Sequence, residues 1–271
     1  MTQLKKNVKN KKEVEIVSQF RKNYVKEYVN FLIKKGNIKQ GKVIVDIPCG
    51  TGDMAKAITE KVNVEKFVVI DINKNMVKSA KEKIINNVLA IVGDAGDIGN
   101  LIDFKVDTII CLNGFHQYIN RKEDFLRGCE KILNKKGRLI FDISTRGLDD
   151  EYTRKFFQSQ RKEIMSLSKE YNITTQFPTW PNDSILKNYR KMIFDSGLKL
   201  LDENEFTTFK TVSQILSDAI TIPGRSRPWI PGLNYKKRKD IIKKSIEKTT
   251  EKLGKHKIEY NRIFFILEKT N

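Results

Sequence analysis

The stretch Val43-Ile44-Val45-Asp46-Ile47-Pro48-Cys49-Gly50-Thr51-Gly52-Asp53-Met54-Ala55 constrains this chain more than any other. A β-branched run ends in an acid, breaks into a glycine-rich turn and resumes as a helix. Strand, turn and helix N-terminus together make a corner suited to a nucleotide. Glycines let the backbone approach a ligand with no Cβ in between. The first helical turn adds N–H groups that have no partner within the helix.

Two ligands compete for such a corner. Gly50 through Ala55 fits the G-x-G-x-x-A dinucleotide fingerprint as written. A second strand, Lys66-Phe67-Val68-Val69-Ile70-Asp71, ends in an acid nineteen residues after Gly52. A carboxylate there accepts from both ribose hydroxyls, which suits NAD or any adenosine ligand. Asp46 separates the two. At the mouth of the turn it would repel a pyrophosphate but favour the sulfonium and ammonium of S-adenosylmethionine. An NAD-dependent oxidoreductase also lacks a recognisable hydride-transfer dyad in this sequence.

Asp46 to Gly52 fits D/E-x-x-x-G-x-G after a hydrophobic strand, and in this the chain resembles the class I S-adenosylmethionine-dependent methyltransferases. The resemblance continues in order. Leu89-Ala90-Ile91-Val92-Gly93-Asp94-Ala95 is similar to the family's third strand, Val106 to Asn113 to its fourth and Gly137 to Ile143 to its fifth. Ser196 to Leu201 and Asn261 to Leu267 are similar to the closing antiparallel pair. The resemblance implies an α/β, Rossmann-like sheet, mostly parallel with an antiparallel last strand, flanked by helices and carrying helical lid insertions. Residues 1–40 then form a basic arm and cap helix, and 41–271 the methyltransferase domain, with lid excursions at about 146–192 and 211–257. In the cap helix Phe20, Tyr24 and Tyr28 either touch ligand or pack on the sheet.

Roles follow from the resemblance residue by residue. Gly50 and Gly52 give close approach to the methionine portion of the cofactor, and Asp46 favours its amino end. Asp71 holds the ribose hydroxyls. Ile72 and Met76 flank the adenine, with core packing the alternative for Met76. Asp94 accepts from the adenine amino group with the Ala95 N–H close by, and Asn113 faces the methionine portion or the methyl group.

The acceptor side is less determined. Asn113-Gly114-Phe115-His116-Gln117-Tyr118 lacks the Asn/Asp-Pro-Pro-aromatic pattern of methyltransferases acting on base amines. It is more similar to the aromatic-and-histidine loop of small-molecule enzymes. His116 is either a base near neutral pH or a hydrogen-bonded structural residue, and Tyr118 is a second catalytic candidate. Arg225 and Arg227 either bind an anionic group or form a solvated basic turn. Trp180 and Trp229 either wall the acceptor site or anchor the lids.

Composition bounds these readings. The chain has 271 residues, and its 39% hydrophobic content is enough for the core of one α/β domain. No apolar run approaches the ~20 residues that span a bilayer. The basic N-terminus lacks the apolar block of a signal peptide, so the expectation is a cytoplasmic protein. Cys49, Cys111 and Cys129 form no CxxC pair; Cys111 reads as packing. The net charge of +19 attracts polyanions without specificity, and its lysines are spread along the chain. The expected function is methyl transfer from S-adenosylmethionine to a small organic acceptor, through O, N or C, giving S-adenosylhomocysteine. The alternatives are an RNA-modifying enzyme docking through the basic surface and a cofactor-binding protein without transferase activity.

Overall fold

The computed structural model describes residues 11–84, 87–116, 119–145, 150–177, 182–221 and 229–270. In chain order the elements are α1 (Lys11–Lys35), β1 (Val43–Asp46), α2 (Asp53–Thr59), β2 (Lys66–Asp71), α3 (Lys74–Lys83), β3 (Val88–Val92), α4 (Ile98–Leu101), β4 (Val106–Cys111), α5 (Lys122–Ile132), β5 (Leu133–Ser144), α6 (Glu151–Lys169), α7 (Asp183–Asp195), β6 (Leu198–Lys210), α8 (Val212–Thr221), α9 (Tyr235–Leu253) and β7 (Ile258–Lys269). A 3-10 turn, Ala95–Asp97, precedes α4.

The seven strands form one sheet in the order β3-β2-β1-β4-β5-β7-β6. β1 pairs in parallel with β2, Val43 opposite Lys66, and with β4, Ile44 opposite Thr108. β2–β3 and β4–β5 are parallel as well, and the sheet carries one antiparallel strand. Ile44, Val45, Phe67 to Ile70, Ile109 and Ile110 are fully buried. That is the pattern of strands covered on both faces. From β1 the chain steps outward through β2 and β3, then returns to place β4 on the other side of β1. This reversal opens a crevice at the carboxyl ends of β1 and β4, where open α/β sheets take their ligands.

Three strands depart from the expected boundaries. β5 begins at Leu133 and takes in Asn134 to Gly137, with Lys136 at φ +60 and a register shift against β4. β6 and β7 run 13 and 12 residues, well beyond their apolar cores. Helix α6 lies within the first expected lid excursion. Asp150 caps it by accepting from the Thr153 N–H at 2.6 Å, and it buries Phe156, Gln160, Glu163, Ile164 and Leu167.

The chain divides into two compact units. One comprises Val8–Ile143, Asp183–Asn204 and Ile263–Asn271; the described part of the other comprises Ser144–Asn182 and Glu205–Arg262. The first holds β1 to β4, nearly all of β5, and α7. Phe115, Phe141 and Phe265 stack through its core at 4.2 and 5.0 Å. The second is helical, built on Phe156, Ile164, Leu167, Ile215, Ile230, Ile241, Ile242, Ile246 and Ile258. Its buried Glu163 meets Lys252 and, at 3.8 Å, Lys248. Among the described residues no helix is long and apolar enough to cross a membrane.

Candidate functional site

The glycine turn extends the ladder of β1 on both sides. The Ile47 N–H donates to Ile110 O at 2.9 Å, and the Cys49 N–H to Ile70 O at 2.8 Å. Gly50 and Gly52 lie at φ +54 and +76, a region costly to any residue with a Cβ. Gly52 has a second reason to be glycine: a Cβ there would stand 2.5 Å from the Cα of Ala80 on α3.

Asp71 ends β2, and its carboxylate shapes the turn. Oδ2 accepts the Gly50 N–H at 3.1 Å and Oδ1 the Asn73 N–H at 2.9 Å. Ile72, half-buried, follows directly. Met76 is buried on α3 with Val77 and Ala80, in the manner of a packing residue.

Asp46, 3% exposed, ends β1. It lines a concavity with Val25 of α1, Pro48, Cys49, Met54, Leu112 and Asn113. Asn113 stands at φ +52 just beyond β4, a conformation asparagine tolerates better than most. Its N–H donates to the Asp142 carboxylate, buried in β5. Burial drives the Cys111 thiol well above its ordinary range, with Cys129 and Asp46 adding to the shift. Burial does the same at Cys129, and neither thiol is a nucleophile.

Asp94 closes β3's end of the row. Its Oδ1 accepts the Gly96 N–H at 2.9 Å, and Arg121 lies 3.9 Å from it and 2.7 Å from Asp97. Ala95 is buried behind it. On the other side of the glycine turn, Asp53 gathers three partners. Ser18 of α1 donates to its Oδ1 at 2.7 Å, Lys83 of α3 at 2.6 Å, and Thr51 to its Oδ2. These bonds tie α1, whose Val25 lines the concavity, to the turn.

His116 is half-exposed, three residues beyond Asn113. Its Nδ1 lies 2.6 Å from the hydroxyl of Tyr189 on α7. Burial pushes the Tyr189 phenol up to about 12, so it stays protonated at any physiological pH.

The expected cofactor residues Asp46, Gly50, Gly52, Asp71, Ile72, Met76, Asp94, Ala95 and Asn113 therefore all lie in the sheet unit, most of them at strand ends or in the loops that follow. Trp229 lies in the helical unit, packed on that unit's core and 6.4 Å from Phe177. Tyr118, Trp180, Arg225 and Arg227 lie outside the described residues, as do the side chains of Phe20 and Tyr24. Tyr28 is buried and packs 5.1 Å from Phe264. Sequence reasoning missed Ser18, Lys83, Asp142 and Tyr189. Only Asp142 carried a signal, an acid inside the apolar run Leu139 to Ile143.

Comparison with known proteins agrees with this geometry. Residues 44–137 match the family model described as a methyltransferase domain. The ubiquinone/menaquinone biosynthesis C-methyltransferase UbiE of Pseudomonas fluorescens is 27% identical over 191 residues, 65% of this chain and 73% of that one. The demethylmenaquinone methyltransferase of Thermotoga maritima is 30% identical over 97 residues, 36% of this chain and 41% of that one. The fold matches a protein of Bacillus halodurans C-125, provisionally assigned as a methyltransferase, with a TM-score of 0.58 and 16% identity. That match covers 90% of this chain and all of the other. Strand order, glycine turn and matched residues agree: residues 44–137 carry a methyltransferase domain, and the chain is that of an S-adenosylmethionine-dependent methyltransferase.

Proposed function

We propose that this enzyme methylates a small organic acceptor at carbon, converting S-adenosylmethionine to S-adenosylhomocysteine. The observation that carries the cofactor half is the buried carboxylate of Asp46 in the same concavity as Asn113. A negative charge held there suits a cationic ligand and opposes a pyrophosphate. When bound, S-adenosylmethionine supplies a methyl group on a positively charged sulfur, with a thioether as leaving group.

The chain's own residues then have distinct tasks. Asp46 attracts the ammonium, and Gly50 and Gly52 leave room for close backbone approach. Asp71, at the end of β2, accepts from the ribose hydroxyls. Asp94 and Ala95 take the adenine edge, and Ile72 covers the ring. Asn113 borders the methionine portion, and His116 belongs to the acceptor side. Methyl transfer is an in-line displacement, so the protein's contribution is alignment and the exclusion of water. Methylation at carbon is favoured by the similarity to relatives named as C-methyltransferases.

The test is titration calorimetry with S-adenosylhomocysteine, followed by transfer of labelled methyl groups into a cell extract. Label in the small-molecule fraction supports the reading and locates the acceptor by its chromatography. Nuclease-sensitive label would redirect the function to RNA. Failure of the protein to bind S-adenosylhomocysteine would sink it.

A further inference from the structure

The segment after β3 carries Asp94 and Ala95, and it is built to lie against α5. Gly99 of α4 meets Gly128 of α5 at backbone distance. A Cβ on Gly99 would stand 3.0 Å from the Gly128 Cα, and one on Gly128 would stand 2.7 Å from Ile98 Cγ2. Lys131 Nζ adds a bond of 2.9 Å to the Gly99 carbonyl. Positions 121, 128 and 131 follow at steps of seven and three, so they fall along one face of the helix. The third point of contact is Arg121, at the N-terminal end of α5.

Arg121 lies where a side chain of residue 96 would go. Gly96 is buried in the 3-10 turn. A Cβ there would come within 2.8 Å of Arg121 Nε and 3.0 Å of both its Cβ and its Cζ. From this position the guanidinium reaches Asp97 at 2.7 Å, and Asp94 Oδ1 and Asp124 at 3.9 Å. Arg127 takes Asp124 at 2.7 Å, which leaves Asp97 as the close partner of Arg121. Asp94 Oδ1 in turn accepts the Gly96 N–H at 2.9 Å. The arginine therefore presses on the residue whose amide orients the Asp94 carboxylate. An ion pair whose members are 47% and 45% exposed adds little to stability. What this one changes is the position of the turn.

We infer that Arg121 is a positioning residue for the base specificity of the cofactor site: clamped across Gly96 onto Asp97, it holds the 94–97 turn so that Asp94 meets an exocyclic amino group, and the enzyme distinguishes a 6-aminopurine from a purine without that group. This rests on the function proposed above, which gives Asp94 the adenine edge. Arg121 acts through the Gly96 amide and not on the ligand. A hydrogen bond weakens steeply once donor and acceptor fall out of line, so a turn released from α5 loses its aim at the amino group first. The loss falls on the ligand that carries the amino group, because an analogue without it makes no bond there. A general loosening of the fold would weaken both ligands alike.

Titration calorimetry on the full-length protein compares two probes, S-adenosylhomocysteine and its analogue with hydrogen in place of the adenine amino group. The wild type should prefer the first by at least about tenfold, the scale of one hydrogen bond to a charged acceptor. Arg121→Gln should bring the preference below about threefold, with affinity for the analogue kept within about twofold. Gly96→Ala disturbs the same clamp from the other side, because its methyl group displaces the arginine. Gly96 has no left-handed φ, so alanine fits the backbone there. Its preference should fall to the same level, and the double variant should go no further, since both changes act through one contact. Equal weakening of both probes makes Arg121 a structural support and overturns the inference. An unchanged preference, or effects that add in the double variant, overturns it as well. If Arg121→Gln fails to fold, Gly96→Ala reads the same ratio alone. A wild type that binds neither probe overturns the proposed function. One that binds both equally leaves cofactor binding standing and overturns the adenine role of Asp94, and this inference with it.

Discussion

The two compact units both bury carboxylates, and they satisfy them in different ways. In the sheet unit, Asp71 and Asp142 accept main-chain N–H groups from the loops beyond the strands. In the helical unit, Glu163 is met by Lys248 and Lys252. Its bond to Lys252 holds the carboxyl below its ordinary range, against the opposing effect of burial. Lysines cancel a buried charge. Backbone amides stabilise it and leave it in place, while the acid sets the shape of a loop. An acid of the second kind remains useful to a cationic or hydroxyl-bearing ligand, and an acid of the first kind does not.

The comparison can be broken by mutation. Asp46→Asn should have the largest effect, weakening binding of S-adenosylmethionine by about 3 kcal/mol, the upper range for a bond to a charged group. The loss should be smaller for a sulfonium-free analogue, as read by calorimetry with both ligands. Asp71→Ala should follow, at about 2 kcal/mol of cofactor affinity, because it removes both the proposed ribose contact and the support of Gly50. An unchanged affinity would remove Asp71 from the site.

Asp107 sharpens the contrast, because it accepts from both kinds of donor at the opposite end of the sheet. It accepts the Val43 N–H at 2.9 Å, Lys42 Nζ at 2.9 Å and Asn134 at 3.2 Å. Burial pushes its carboxyl up, and these bonds together outweigh it and hold the group below its ordinary range. Its ionised form therefore favours the fold. The contribution is complete above about pH 5 and fades as the pH falls toward the folded-state value. Asp107→Asn should cost about 1 kcal/mol of stability at pH 7 and less in acid, leaving cofactor affinity unchanged. Urea unfolding at two pH values measures this. Glu163→Gln should have the smallest effect, under about 1 kcal/mol of stability and none on cofactor affinity. If it weakened the cofactor as much as Asp71→Ala, the distinction between the two kinds of acid would fail.

The sheet unit was legible because β1, β2 and β4 are short β-branched runs buried on both faces, and an acid ends β1 and β2 and follows β3 by two residues. Asp46, Asp71 and Asp94 were visible for that reason. The bounds of helix α6 were hidden by Gln160 and Glu163, polar residues on its buried face that blur the apolar period. Tyr189 was invisible for a different reason. It stands 73 residues from His116, on a helix that lay within an expected lid, and only tertiary packing brings the two together. The bonds of Ser18 and Lys83 to Asp53 likewise join three helices and leave no local trace. Periodicity reports burial, and spacing reports single loops; neither reports which side chains meet across the fold.

The contact between Gly52 and Ala80 makes residue 80 a partner in shaping the glycine turn. The turn rests on α3 at backbone distance. An added methyl group on either side has nowhere to go except into the loop that receives the cofactor. Compensation is also one-sided, because glycine has no side chain left to give up. In a library of variants, position 80 should therefore behave as though it lay inside the site, tolerating alanine and glycine and little else. Its constraint comes from the side chain its neighbour lacks.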